Sequence, residues 1–328
     1  MDSTTFPSVR RALPILLTLL CIAGLLGLSA TRAASAGAAV KPQNDHTRLP
    51  KSCASAKELI PQEPTVCKIT RFRDDRPTLL VWGDSHAWMM IPALQKAVED
   101  ADVNLVAIVM GGCPPMDNLV GVDDAAPGCY RSNALALDFV QQVQDSGEAL
   151  RVVLGGSWQR YRAALRAKDK SYTGEMARAM VKGTPRLMKT LARRGVATDV
   201  VGQVATVPAD APACRRENPY TCTLSRRAAL PTAKDTQQYL LKVMKPLAGN
   251  RAPINVNGAF CDGNGCRGKI GAIYTWWDDL HLSATRSRTL APSFARTVTA
   301  LVDADTSTGG GDGGGGGGGG CSIPLLCF

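Results

Sequence analysis

Short, densely apolar runs alternate along this chain with longer stretches in which apolar positions recur every three or four residues. The dense runs fall at Thr78–Trp82, Val103–Met110, Arg151–Leu154, Thr198–Val207 and Ile254–Val256. The amphipathic stretches fall near Ala87–Asp100, Ser132–Gln144, Thr173–Arg194, Thr232–Leu247 and Ala284–Val302. A strand that is apolar on both sides must be covered on both faces, and the intervening helices supply the cover. The pattern therefore predicts an α/β fold, with a parallel sheet of about five strands and helices on both faces. No internal repeat interrupts it.

The ends of the chain read differently. Residues 1–36 carry Arg10 and Arg11, an apolar run over residues 13–29, and then Ala34-Ser35-Ala36. Charged, apolar and small residues in that order mark an export signal or a signal anchor, and the length of the run leaves cleavage and retention both open. Residues 37–77 read as a polar, Pro- and Ala-rich linker followed by a loop closed by Cys53 and Cys67. The catalytic domain is expected over 78–303. Residues 304–328 form a tail in which positions 309–320 are eleven glycines and one aspartate. Such a stretch has too little apolar surface to offset the entropy of ordering it.

Cysteine usage agrees with export. Of the eleven cysteines, Cys21 sits in the leader, and the other ten fall into close neighbours. These are Cys53 with Cys67, Cys113 with Cys129, Cys214 with Cys222, Cys261 with Cys266, and Cys321 with Cys327. An even count in an exported chain favours disulfides. Zinc is disfavoured, since there is no Cys-x-x-Cys and only three histidines are present. No metal and no cofactor is expected. The formal charge of +10 is spread over helical stretches such as Arg160–Lys170 and Met176–Arg194. With few aromatics interleaved, it reads as solvated faces rather than a nucleic-acid surface.

The chemistry concentrates at two places. Leu79–Ala87 reads as a buried strand running into a tight Gly83-Asp84 turn, with Ser85 at its tip and a helix following. Ligands of open α/β sheets bind beyond the carboxyl ends of the strands, where helix N-termini favour negative charge. On its own, a serine there is more often a helix cap than a nucleophile. The second place is Trp276-Trp277-Asp278-Asp279-Leu280-His281-Leu282-Ser283. A serine hydroxyl becomes a nucleophile when a base takes its proton and a third group orients that base. His46 lies in the polar leader and is expected at the surface. His86 follows the serine directly and is expected to point away from it. That leaves His281 as the base, with Asp278 three residues earlier as its orienting carboxylate and Asp279 as the weaker competitor.

These motifs together resemble the SGNH (GDSL-like) hydrolase superfamily. More narrowly, they resemble the SGNH domain found fused to bacterial membrane acyltransferases of the acyltransferase-3 type. Gly83-Asp84-Ser85-His86-Ala87 and Asp278 to Ser283 carry the resemblance, with weaker support from Gly112-Cys113-Pro114-Pro115 and Leu154-Gly155-Gly156-Ser157-Trp158. The resemblance spans about residues 50–303 and implies a flavodoxin-like sheet. It makes Ser85 the nucleophile, His281 the base and then acid, and Asp278 the orienter. The oxyanion would be held by the backbone N–H groups of Ser85 and Gly112. The superfamily's asparagine after the third strand is missing, so a backbone N–H near Gly155 or Gly156 is the expected substitute donor, with Gly155 the first choice. An α/β-hydrolase is excluded because position 87 is Ala, where its nucleophile elbow needs Gly, and because Asp278 and His281 are too close in sequence.

The expected function is an exported serine esterase or O-acyltransferase acting on acetyl or other small acyl esters of cell-envelope polysaccharide. The expected location is periplasmic or secreted, with membrane contact through residues 13–29 if they are retained. Any membrane acyl-donor partner is expected to be a separate protein, and no nucleic-acid partner is expected. The competing expectation is a glycan-binding or assembly protein that keeps the fold without catalysis.

Overall fold

The computed structural model describes residues 42–54, 58–117, 127–209, 211, 221–249 and 252–308. The export segment and the glycine stretch lie outside the described residues. The first half of the domain runs β1 (Cys67–Lys68), β2 (Thr78–Gly83), α1 (Ser85–Trp88), α2 (Ile91–Ala97), β3 (Asn104–Val109) and α3 (Pro127–Asp145). It continues with β4 (Leu150–Gly155), α4 (Trp158–Arg166), α5 (Tyr172–Arg193) and β5 (Ala197–Val200). These strands form one sheet in the order β1-β3-β2-β4-β5. The last four are parallel, and β1 lies antiparallel along the outer edge against β3.

The sheet is buried on both faces, as its apolar runs require. Alternate residues divide between two clusters, following the period of two along a strand. Leu79, Val81, Leu105 and Ala107 pack on one side with Leu94, Phe294 and Leu301. Leu80, Trp82, Val106 and Ile108 pack on the other with Phe139, Met180 and Leu187.

Several boundaries differ from the sequence reading. The helix expected over Ala87–Asp100 is broken into α1 and α2, and Pro92 sits at the start of the second piece. Proline lacks an N–H and has a fixed φ, so it starts a new helix rather than continuing an old one. Pro292 does the same in the last helical stretch, where a short 3-10 turn at Ala291–Phe294 intervenes. The run Thr198–Val207 leaves the sheet after Val201, and the expected strand at Ile254–Val256 shrinks to a single parallel bridge between Val201 and Ile254. Pro253 has no donor to extend that ladder. The rest of the run instead holds neighbouring loops: Ala205 O accepts from Trp276 Nε1 at 2.8 Å, and Val207 N–H donates to Asp279 O at 2.8 Å.

The second half adds β6 (Thr223–Leu224), α6 (Arg226–Ala229), α7 (Ala233–Val243), β7 (Cys261–Asp262) and β8 (Gly265–Arg267). It ends with β9 (Lys269–Ile270), β10 (Ile273–Tyr274), α8 (Ala284–Arg288) and α9 (Ala295–Thr308). β6, β8 and β7 form a small sheet, and β9 with β10 a hairpin. Helix α9 carries order to Thr308, into the segment read as tail.

Disulfides join Cys113 to Cys129 and Cys261 to Cys266. Cys222 is also disulfide-bonded. Cys214, Cys321 and Cys327 lie outside the described residues. The expected Cys53–Cys67 closure is not formed. Both are buried free thiols, and the N-terminal loop is tied down by the pairing of β1 with β3 instead. The hydrogen bond that Cys67 donates to Cys53, together with burial, pushes the Cys67 thiol far up, which keeps it protonated. Among the described residues, no helix is long and apolar enough to cross a membrane.

Candidate active site

The Gly-Asp-Ser turn leaves the carboxyl end of β2 wedged against β4. Gly83 pairs in register with Gly155, has φ of +147°, and would place a Cβ 1.8 Å from the Gly155 carbonyl oxygen. A Cβ on Gly155 would in turn meet Ala87 Cα at 2.8 Å. Only glycine fits this crossing at either position.

Asp84 fixes the turn from below. Its Oδ1 accepts the His86 N–H at 2.7 Å, and its Oδ2 accepts the Ser157 N–H at 2.8 Å and the Tyr161 hydroxyl at 2.7 Å. Burial pushes this carboxyl upward in pKa, and the three donors oppose that shift. Asp84, not Ser85, is thus the N-cap of α1. Ser85 becomes the first helical residue, half-buried, with its hydroxyl relieved of capping. Its N–H is among those a helix leaves without an internal acceptor.

The second motif folds back on itself. Trp276 bridges Leu282, and Trp277 N–H donates to His281 O at 3.2 Å, so residues 278–280 form the tip of a narrow loop. Asp278 Oδ1 accepts the N–H groups of Leu280 and His281 at 2.8 and 2.7 Å. The same carboxylate faces His281 Nδ1, at 3.0 Å from Oδ1 and 2.8 Å from Oδ2. With Nδ1–H donated to Asp278, Nε2 is left as the basic nitrogen. Asp279 instead anchors the loop tip through its carbonyl to Val207.

The ring of His281 lies in an aromatic nest. Trp277 stacks on it at 6.0 Å and 21°, and Trp88 meets it edge-on at 5.9 Å. The ring of His86 lies 5.6 Å away, which brings the serine turn and the histidine loop into one cluster. His281 Nε2 is buried and has no hydrogen-bond partner among the described residues, so the hydroxyl–imidazole bond to Ser85 is not made in this state. Such bonds often tighten only when substrate is bound.

Two histidines have surroundings that the sequence did not show. His86 is buried beside His281, and both its ring nitrogens lack partners among the described residues. Burial, then the charges of His281 and Arg160, push its pKa well below the usual imidazole range, so it stays neutral. His46 is not a free surface residue, since its ring packs 5.4 Å from that of Trp277. The sequence reading also passed over Tyr161 and Trp277. Only their placement by α4 and the 276–282 loop reveals them.

Of the expected oxyanion glycines, Gly112 follows β3 in a left-handed conformation, φ +68°, and a Cβ there would lie 3.1 Å from the Tyr172 ring. The Met110 N–H donates to Gly83 O at 3.0 Å, which ties this loop to the serine turn. Gly155 is held to glycine by its close contact with Ala87.

Residues 52–296 match the family described as the SGNH domain fused to AT3 domains. The chain belongs to this family. As an SGNH domain it is an enzyme of hydrolase or transferase type. No curated protein matches it. Among solved structures it is similar to the periplasmic domain of a lipopolysaccharide acetyltransferase from Salmonella ser. Paratyphi A. That match has 15% identity and a TM-score of 0.50, covering 69% of this chain and 85% of the other. A carbohydrate acetylesterase family member from Sinorhizobium meliloti matches at 16% identity and TM-score 0.36, over 69% of this chain and 99% of that one. A catalytic mutant of an acetylxylan esterase from Geobacillus stearothermophilus matches at 14% identity and TM-score 0.36, over 68% of this chain and 94% of that one. In this SGNH domain, among the described residues, no three His, Cys, Asp or Glu side chains gather as a metal site.

Proposed function

We propose that this SGNH domain is an exported serine esterase or O-acyltransferase that works on acetyl or similar small acyl esters of envelope glycans. The observation that carries the reading is the Asp278–His281 pair, bonded through Nδ1, in one cluster with the Ser85 turn at the carboxyl end of the sheet. In the proposed reaction Ser85 Oγ attacks the ester carbonyl while His281 Nε2 takes the hydroxyl proton. The resulting oxyanion is held by the N–H groups of Ser85 and Gly112. Collapse breaks the ester bond, and His281 returns the proton to the departing alcohol. Water or a sugar hydroxyl, deprotonated by the same imidazole, then releases the acyl group from Ser85. Hydrolysis and transfer share these steps and differ in which acceptor reaches the acyl-enzyme.

The disulfides fit an oxidising compartment, which supports a periplasmic or secreted location. The family's association with AT3 domains supports a membrane acyl-donor protein as partner and a glycan as acceptor.

Incubation with p-nitrophenyl acetate, followed by intact-mass measurement, tests the reading. The expected result is an acetyl adduct on the wild-type chain and none on Ser85→Ala, with turnover lower by at least about 10³-fold in the variant. Full turnover by Ser85→Ala would overturn the reading, whereas no adduct on the wild-type chain together with glycan binding undisturbed in Ser85→Ala would favour a glycan-binding protein with the same fold.

A further inference from the structure

The loop that carries Asp278 and His281 leads directly into α8, and the N-terminus of that helix is closed by a residue from far outside the sequence motif. Asp45 O accepts the Ala284 N–H at 2.8 Å. Asp45 Oδ1 accepts both the N–H and the hydroxyl of Thr285, each at 3.0 Å, across 240 positions of sequence. Ser283 Oγ takes the Arg286 N–H at 3.0 Å. The first three N–H groups of α8 are therefore all satisfied, two of them by Asp45.

The next residue continues the contact. The His46 ring packs against Trp277 with 5.4 Å between centres, and Trp277 stacks on His281. Three rings thus lie in series, from the N-terminal segment to the imidazole. Thr47 follows, 1% exposed, and seats the segment. Other anchors hold the loop elsewhere: Trp276 Nε1 on Ala205 O, Asp279 O under Val207 N–H, and Leu282 N–H on Met89 Sδ at 3.3 Å. Residues 45–47 supply a separate hold, on α8 and on the Trp277 ring.

Residues 45–47 also precede the family-matched region, which begins at 52. The hold they provide is therefore added to the SGNH domain from outside its matched span. We propose that Asp45 is a positioning residue for His281, and that residues 45–47 form a strap that keeps the Trp277–His281 layer seated. The role rests on the reading of His281 as the base. Asp45 acts through α8 and its neighbour His46, without touching the reacting atoms. An imidazole whose ring is free to shift loses rate in the chemical step more than affinity for the ester, since misplacement by about 1 Å costs on the order of 10²-fold.

The test uses steady-state hydrolysis of p-nitrophenyl acetate by the full chain, with Asp45→Ala, Asp45→Asn, His46→Ala and Ser85→Ala. Asparagine keeps an Oδ1 acceptor for Thr285. Asp45→Ala is expected to lower kcat about tenfold with KM unchanged, while Asp45→Asn stays within about twofold of wild type. His46→Ala, which leaves the bonds of Asp45 in place, is expected to lower kcat about threefold with KM unchanged. The strap is refuted if Asp45→Ala and His46→Ala both keep wild-type kcat, if the loss falls on KM alone, or if asparagine fails to restore kcat. Should Asp45→Ala not fold, the His46→Ala and Asp45→Asn arms decide. Full turnover by Ser85→Ala overturns the reading of the site itself, and the positioning role with it.

Discussion

At Gly83 the chain turns out of β2 with φ of +147°, and a Cβ would sit 1.8 Å from the carbonyl oxygen of Gly155. No rotamer change relieves a clash that starts at Cβ and ends on a neighbouring strand's backbone. Gly83→Ala must therefore part β2 from β4 or strain both, and it is expected to lower stability by more than about 3 kcal/mol. Gly258→Ala is the control, because a Cβ there meets nothing within 4 Å. It is expected to change stability by less than about 1 kcal/mol. Urea unfolding of the two variants compares them directly, and equal midpoints would refute the close-crossing account. The Gly-Asp-Ser run could be read from sequence only together with the Asp278–His281 motif, because a serine after a strand is on its own more often a helix cap. Its supporting chemistry could not. Asp84 owes its role to Ser157 and Tyr161, and His86 faces His281, so both depend on contacts that only the fold creates.

Among the elements, β4, β5 and α9 meet at one buried ion pair. Arg151 Nε donates to Asp199 Oδ2 at 2.7 Å, and the Thr297 hydroxyl donates to the same oxygen at 2.9 Å. Both charged side chains are only 8% exposed. Removing one partner leaves the other charge without water or a counter-ion, so Asp199→Ala is expected to lose about 3–5 kcal/mol in urea unfolding. Replacing both, as in Arg151→Met with Asp199→Leu, is expected to recover most of that loss. A double variant as unstable as the single one would show that packing, not the stranded charge, sets the cost. The strands meeting here are visible in the sequence as apolar runs, and α9 as an amphipathic stretch. Arg151 inside such a run gives no sign of its partner. The small sheet of β6, β8 and β7 is not legible at all, because strands of two or three residues carry no usable periodicity. The segment that continues β5 beyond Val201 misleads for the opposite reason. Gly202 to Val207 is as apolar as a strand, yet its backbone serves the loop of Asp278 instead of the ladder.

Across the whole molecule, the two ends of the sheet carry different loads. Ser85 and Gly112 follow the carboxyl ends of β2 and β3, and the His281 ring lies against that of His86 beside the serine turn. Glu148 lies at the opposite pole, two residues before β4, with its Oε2 buried and unpaired among the described residues. Burial, reinforced by the nearby carboxylates Asp74, Asp305 and Asp75, pushes its pKa up to about 7. Below its ordinary value of 4.5, Glu148 is protonated both folded and unfolded, and it contributes nothing to the pH dependence. Between 4.5 and about 7 the folded chain holds a proton that the unfolded chain releases, so stability falls as pH rises through this window. Above it the penalty is complete. Because the side chain is only part-buried, solvent screening reduces the penalty to about 1 kcal/mol. Glu148→Gln removes it, so the variant should unfold at a higher temperature than wild type at pH 8 and at nearly the same temperature at pH 4.5. Thermal unfolding across that range isolates this group, since every other titrating residue is common to both proteins. Ester turnover at pH 8 should be unchanged, because the substitution lies at the far end of the strands from Ser85. A Tm difference independent of pH would assign the effect of Glu148 to packing rather than to its charge.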